Sequence, residues 1–195
     1  MKTRYYLLPL VLCLSLTAIA QTKDESRPLE SEQPVEREIA GGESHTYQLA
    51  LQSGQFVRFR LDQRAIDATL ILAAPDGKPL VEMNLTRAGD EESLSLEAAV
   101  NGHYRLTVRV GGMATLRGTY RLEAVLKAAA TAPDKQRIGA ESLMIESEKL
   151  VPQGAKAAPK SIENMQQALR ISRFQISARR RCTSPRPERR RCRRS

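Results

Sequence analysis

Residues 103–110 read HYRLTVRV, in which Tyr104, Leu106, Val108 and Val110 alternate with Arg105, Thr107 and Arg109. A strand sends successive side chains to opposite faces, so this segment buries one face and wets the other. The same period of two recurs outward from it. In QFVRFRLD (55–62), Val57, Phe59 and Leu61 alternate with Arg58 and Arg60; in SLSLEA (93–98), Leu94, Leu96 and Ala98 alternate with Ser93, Ser95 and Glu97. In TYRLEAVLK (119–127), Tyr120, Leu122, Ala124 and Leu126 share one face. One-sided burial is the habit of antiparallel sheets. ATLILAA (68–74) is apolar on both faces and is expected to be a more central strand.

Turn residues punctuate these runs at Gly41-Gly42, Ser53-Gly54, Pro75-Asp76-Gly77-Lys78, Ala88-Gly89-Asp90, Asn101-Gly102 and Gly111-Gly112. Roughly eight short strands at this spacing predict an antiparallel β-sandwich or jelly roll over 34–127. Asn101-Gly102 tolerates positive φ and predicts a tight hairpin between a strand ending near Ala99 and one starting at His103. Pro75-Asp76-Gly77 predicts a turn after the central strand.

The flanks differ from this body. Lys2 and Arg4, the apolar run from Leu7 to Ala20, and the small residues Ala18 and Ala20 make residues 1–20 a signal peptide, so the chain is expected to be exported to the periplasm or beyond, touching a membrane only in transit. Cys13 lies inside that run, which leaves Cys182 and Cys192 to the mature chain; the sheet region has no disulfide framework, thiolate metal site or cysteine nucleophile. Residues 21–33 and 128–139 read as linkers. Over 140–172, Ala140, Leu143, Met144, Ser147 and Leu150, then Ile162, Met165, Gln166, Leu169 and Arg170, recur at helical spacing around VPQGAKAAPK (151–160), which predicts an αα-hairpin.

From Arg173 to Ser195 there are ten arginines and one acid, Glu188; their sum of +9 equals the net charge of the whole chain. The folded part is thus not basic, and a disordered tail at 173–195 carries the charge. Such a tail binds phosphates by charge alone. Nucleic acid is nevertheless not the expected partner, because an exported chain rarely meets it and the tail lacks interleaved aromatics for stacking on bases.

Two segments resemble known families. EIAGGESHTYQLALQSGQFVRFRLDQRAIDATLILAAPDGKPL (38–80), with NGHYRLTV and GTYRLEAVL, resembles the β-sandwich domain at the N-terminus of secreted bacterial proteins that continue into tetratricopeptide repeats and often a CHAT domain. That domain is similar in kind to the bacterial pre-peptidase C-terminal type. SIENMQQALRIS (161–172) resembles the second helix of a tetratricopeptide repeat, with Met165 where the family places a large residue and Ala168 at its small packing position. ESLMIESEKL (141–150) resembles the first helix. The resemblance implies a binding or accessory module. The alternative is a remnant of a CHAT-type peptidase-associated protein without activity of its own.

No catalytic, cofactor-binding or metal-ligating residue is assigned, and an enzyme is not expected. His45 and His103 are the only histidines and have no acid or cysteine placed beside them in the sequence. By alternation His45 shares the face of Tyr47 and Leu49. Asp62, Asp67, Asp76, Asp90, Glu91 and Glu92 cluster at loops but match no ordered calcium loop, and read as solvated turns. Ser44 and Ser53 have no placed base. Arg58, Arg60, Arg105, Arg109 and Arg121 point outward, as a solvated face paired with Glu97 and Glu123 or as a basic face for an acidic partner. The expected partners are protein or extracellular glycan.

The repeat pattern stops near Arg173 and gives way to arginine, cysteine, proline and serine, which is expected of a longer repeat protein truncated or read out of frame. Translating the other frames beyond the Arg173 codon tests this. Resumed amphipathic helical repeats are the expected result, and their absence from every frame overturns it.

Overall fold

The computed structural model describes the backbone of residues 26–183 and the side chains of residues 26–172. The expected signal peptide at 1–20 and the last part of the Arg-rich tail, 184–195, lie outside these described residues. Nine strands are described: β1 Arg27–Pro28, β2 Val35–Ala40, β3 Ser44–Leu51, β4 Phe56–Arg64, β5 Ala68–Ala73, β6 Pro79–Met83, β7 Glu91–Glu97, β8 Gly102–Val110 and β9 Arg117–Lys127. Helices α1 (Ala132–Leu150) and α2 (Ala158–Thr183) follow, joined by a 3-10 segment, Val151–Lys156.

The strands form two sheets, ordered β1-β3-β8-β5-β6 and β2-β9-β4-β7. Every strand pair is antiparallel except β1 with β3. The alternation read from the sequence sets the facing layers. Tyr47 and Leu49 of β3 and Tyr104, Leu106 and Val108 of β8 are buried in one sheet; Val57, Phe59 and Leu61 of β4 and Tyr120, Leu122 and Ala124 of β9 are buried in the other. β5 lies between β8 and β6, inside its sheet, as its doubly apolar pattern predicts.

Among the described strands, only β5 and β6 are neighbours both in sequence and in a sheet. The turn after β5 is built as expected: Gly77 has φ 87°, its N–H donates to the Ala74 carbonyl at 2.9 Å, and the Lys78 N–H donates to Asp76 at 2.9 Å. The hairpin predicted at Asn101-Gly102 does not form. β7 pairs with β4, whereas β8 pairs with β3 and β5 in the other sheet. Gly102 does take a positive φ, 148°, but as the first residue of β8, after a connection that changes sheets, and so close to the β5–β6 turn that a Cβ would lie 2.7 Å from Pro75. A short glycine loop serves either purpose, and the loop alone does not say which.

The stretch 21–33 read as a linker is not free over its described part. Arg27–Pro28 pairs with β3, Leu29 N–H donates to the Gln48 carbonyl at 2.8 Å, and Glu32 N–H donates to the Ala124 carbonyl of β9 at 2.8 Å. The chain thereby crosses from one sheet to the other, and Leu29 is buried between them at 3% exposure. One apolar side chain in a polar stretch supplies the driving force, and the edge of β3 and the part of β9 beyond its pairing with β2 supply the backbone partners.

α1 begins at Ala132, inside the expected linker 128–139. Thr131 caps it: its side chain accepts from the Asp134 N–H while the Asp134 carboxylate accepts from the Thr131 N–H, and Pro133 sits in the first turn. This capping box starts the helix well before its apolar periodicity begins. The backbone of α2 continues to Thr183, into the stretch from Arg173 read as tail.

Replacing Leu29 by alanine is expected to destabilise the fold by about 2–4 kcal/mol, read as a lower urea midpoint. A variant as stable as the parent would show that the crossing segment is not part of the core.

Candidate functional site

His45 occupies the face predicted for it, beside Tyr47 and Leu49. Its Nδ1 lies 2.8 Å from the Tyr120 hydroxyl, which lies 2.5 Å from the Tyr47 hydroxyl. Tyr47 belongs to β3 and Tyr120 to β9, so this polar chain links the two sheets, as does Gln63 of β4, whose side-chain carbonyl oxygen accepts from the Ala68 N–H of β5 at 2.6 Å. Burial, reinforced by the hydrogen bond to Tyr47, pushes the Tyr120 phenol well above its ordinary range. A neutral phenol held this way is a structural hydrogen-bonding group. His103 lies in β8, opposite Ala50 of β3, away from this chain of hydroxyls.

Four of the six loop acids, Asp62, Asp76, Glu91 and Glu92, are drawn into local structure, whereas Asp67 and Asp90 stay exposed as expected. Glu92, read as a solvated turn residue, is 2% exposed, and its carboxylate accepts from the N–H groups of Leu85 and Thr86 at 2.8 and 3.0 Å and from the Thr86 hydroxyl at 3.1 Å. It therefore holds the β6–β7 loop against the sandwich. Asp62 pairs with Arg64 at 3.2 Å, and Asp76 closes its own turn. Among the described residues, no group of three or more His, Cys, Asp or Glu side chains is placed to hold a metal ion.

The five outward arginines do not share a face. Arg58, Arg60 and Arg121 lie on the β2-β9-β4-β7 sheet, whereas Arg105 and Arg109 lie on the other. Arg60 pairs with Glu91 at 2.5 Å and with Glu123 at 3.6 Å, the latter a pairing expected from the sequence. Glu97 instead pairs with Lys135 of α1 at 3.2 Å, and Arg109 pairs with Glu82 at 2.6 Å.

A polar contact at the sheet edge joins α1 to β7. Ala98 N–H donates to the Gln55 carbonyl, so in this register the even-numbered residues of β7 bond back to β4 and the odd-numbered ones face an open edge. Ser95 is one of these. Its N–H donates to the Glu141 carboxylate at 2.7 Å and its hydroxyl at 3.1 Å. Burial pushes the Glu141 carboxyl up to about 7, outweighing both donations from Ser95 and the charges of Arg58 and Arg137. The start of α1 is fixed in turn by Lys127, whose Nζ lies 2.7 Å from Asp134 and 5.0 Å from the centre of the Phe56 ring. Burial works to raise the Asp134 carboxyl, but its bonds with Lys127 and Thr131 prevail and hold it below the usual carboxylate range. Further along α1, Ile145 packs on the core. Glu141 lies outside the stripe read for this helix, and the sequence contains no mark that β7 is an edge strand.

The hairpin packs through small residues, and the larger members of its two stripes stay at least partly exposed. Ala140 and Ser147 of α1 and Ser161, Asn164 and Ala168 of α2 are buried, and the Ser147 hydroxyl lies 2.7 Å from the Ser161 hydroxyl. Ala168 thus fills the small packing position expected of it. Ile162, Met165 and Leu169 are left 54, 43 and 53% exposed. Small side chains let the helix axes approach closely, which turns the bulky residues out to the flank.

No protein-family model matches the chain, and no curated protein matches it. Solved structures similar to it include the periplasmic g-type lysozyme inhibitor PliG of Aeromonas hydrophila, at 13% identity and TM-score 0.41 over 52% of this chain and 96% of that one. The pre-peptidase C-terminal domain of a Bacillus anthracis collagenase is similar at 16% identity and TM-score 0.43 over 52% and 95% of the two chains. A third is the carbohydrate-binding module TmCBM61 in complex with β-1,4-galactotriose, at 19% identity and TM-score 0.31 over 46% and 68%. At TM-scores below 0.5 these likenesses carry no weight for the function of this chain.

Two outcomes follow from the polar contacts. Because the Glu141 carboxyl is raised from 4.5 to about 7, the folded state binds more protons than the unfolded one between those values. Stability is therefore expected to fall as pH rises through that window. Glu141→Gln, which keeps an acceptor for Ser95, is expected to flatten this part of the profile in urea titrations from about pH 5 to 8; an unchanged slope would refute the assignment. Tyr120→Phe strands the Tyr47 hydroxyl and is expected to cost about 1–3 kcal/mol, and an equally stable variant would show that the inter-sheet bond contributes nothing.

Proposed function

We propose that the chain is an exported, non-enzymatic binding module in which the sandwich is a rigid base and the helical hairpin is the contact element. The exposed aliphatic stripe Ile162–Met165–Leu169, on a helix pair fastened to the sheet edge by Glu141, carries this reading. Scattered exposed apolar residues are ordinary, but three in succession on one helical face form a surface suited to another protein. Export rests on the charged, apolar and small-residue pattern of residues 1–20. Among the described residues, no helix is long and apolar enough to cross a membrane.

Protein is favoured over glycan as the ligand. The exposed groups are aliphatic, whereas the described aromatic side chains Tyr47, Tyr104, Tyr120, Phe56 and Phe59 are all buried and offer no platform for a sugar ring. The resemblance of 161–172 to a tetratricopeptide helix supports the same choice.

The test immobilises the mature chain and probes it with periplasmic protein extract and with purified cell-wall glycan. Protein retention that is lost in Met165→Glu and kept in Met113→Ser, a change at an exposed residue of the β8–β9 loop, is the expected result. Glycan retention indifferent to both substitutions would overturn the assignment of the hairpin.

A further inference from the structure

We propose that the exposed face of α2 is a self-association surface on which a second copy of this chain docks with its own α2 running antiparallel. The proposal rests on the reading of that face as a protein-contact surface and names the partner.

The argument lies in the distribution of charge around the stripe. Ile162, Met165 and Leu169 follow a three-then-four spacing and form one ridge. Glu163 and Arg170 each lie one residue beyond a ridge residue, so both stand on the same flank, two turns or about 10 Å apart. Both are exposed, and Arg170 has no hydrogen bond or ion pair among the described residues. Glu163 is engaged only by Lys160 at 3.2 Å, in a pair whose side chains are 57 and 62% exposed and which therefore contributes little. The other flank carries Ser161, Asn164 and Ala168 and is closed by α1.

These facts select one geometry. When two identical helices pack antiparallel about a two-fold axis, like flanks meet like flanks in opposite order. Glu163 of each copy then faces Arg170 of the other, and Ile162 faces Leu169 across a central Met165. The midpoint of the ridge and the midpoint of the Glu163–Arg170 pair differ by one residue, about 1.5 Å along the axis, well within the reach of an arginine. A parallel arrangement would set the charged flank against the partner's α1 and forgo the reciprocal Glu163–Arg170 pairing. The surface is therefore complementary to itself in the antiparallel sense, as an isologous contact requires. Unlike charges on the rim then fix register and orientation more than strength.

Sedimentation velocity of the full mature chain over a concentration series tests this. The parent is expected to show a concentration-dependent dimer, and Met165→Glu a monomer with an unchanged circular dichroism spectrum. Glu163→Arg and Arg170→Glu are each expected to weaken the dimer by about tenfold or more, and the double swap to restore it. A parent that stays monomeric, or a dimer indifferent to the single swaps, overturns the proposal, as does a double swap no better than the singles. If the parent is monomeric while Met165→Glu still abolishes retention of a different protein, self-association fails and the contact-surface reading stands. If Met165→Glu changes neither, both fall.

Discussion

The arrangement of the C-terminal half depends on one unpaired backbone N–H. β7 ends its sheet, and an edge strand exposes every second N–H and carbonyl to whatever comes alongside. At Ser95 that donor is taken by Glu141, so a helix rather than another strand lies against this edge. Everything after Lys127 takes its position from there. Lys127 and Asp134 set where α1 starts, Ile145 anchors it on the core, and α2 packs against α1 through Ser147 and Ser161. The result converts an aggregation-prone edge into a platform for a helical hairpin. The arrangement carries a tension: burial disfavours the ionised carboxylate and raises it to about 7, while the donations from Ser95 that position the hairpin favour that same ionised form.

The two long sides of the sandwich are closed in different ways. On the β1/β2 side, a short polar segment crosses the gap with one apolar side chain, Leu29. On the β6/β7 side, Glu92 ties down the loop between those strands and α1 covers the edge. Between these sides, the Tyr47–Tyr120–His45 chain supplies a directional link that apolar packing lacks. A hydroxyl pair bridging two sheets fixes their relative slide, because shifting either strand by one residue would turn its tyrosine to the opposite face.

The sheets were legible because burial on one face writes itself into a strand at period two. β3, β4, β7, β8 and β9 all follow from that alternation, and so does the side on which His45 sits. Pairing was less legible. Asn101-Gly102 suits a hairpin locally, but its neighbours are recruited by strands far away in sequence, and no local residue encodes that choice. The linkers were misread for a related reason: Leu29 is a single apolar residue with no period, and Thr131 with Asp134 starts a helix before any amphipathic pattern begins. In the hairpin the stripe of α1 did contain its buried residues, Ala140 and Ser147, whereas the large residues of α2 are not the ones that meet α1. Helical spacing shows which residues share a side, not whether large or small ones face the neighbour; Ala140, Ser147 and Ala168 took the contact and released Met165. Glu141 and Glu92 were illegible as functional groups, since a carboxylate that satisfies backbone donors looks in sequence like any surface acid.

The N-terminal crossing has a mechanical meaning. Because Arg27–Glu32 bonds to β3 in one sheet and to β9 in the other, tension applied from the N-terminal side is delivered to both layers together. Leu29 must be drawn out of the core before either sheet can part from the other. The segment thus acts as a stitch across the seam of the sandwich, and the load reaches the seam before it reaches any strand-to-strand ladder.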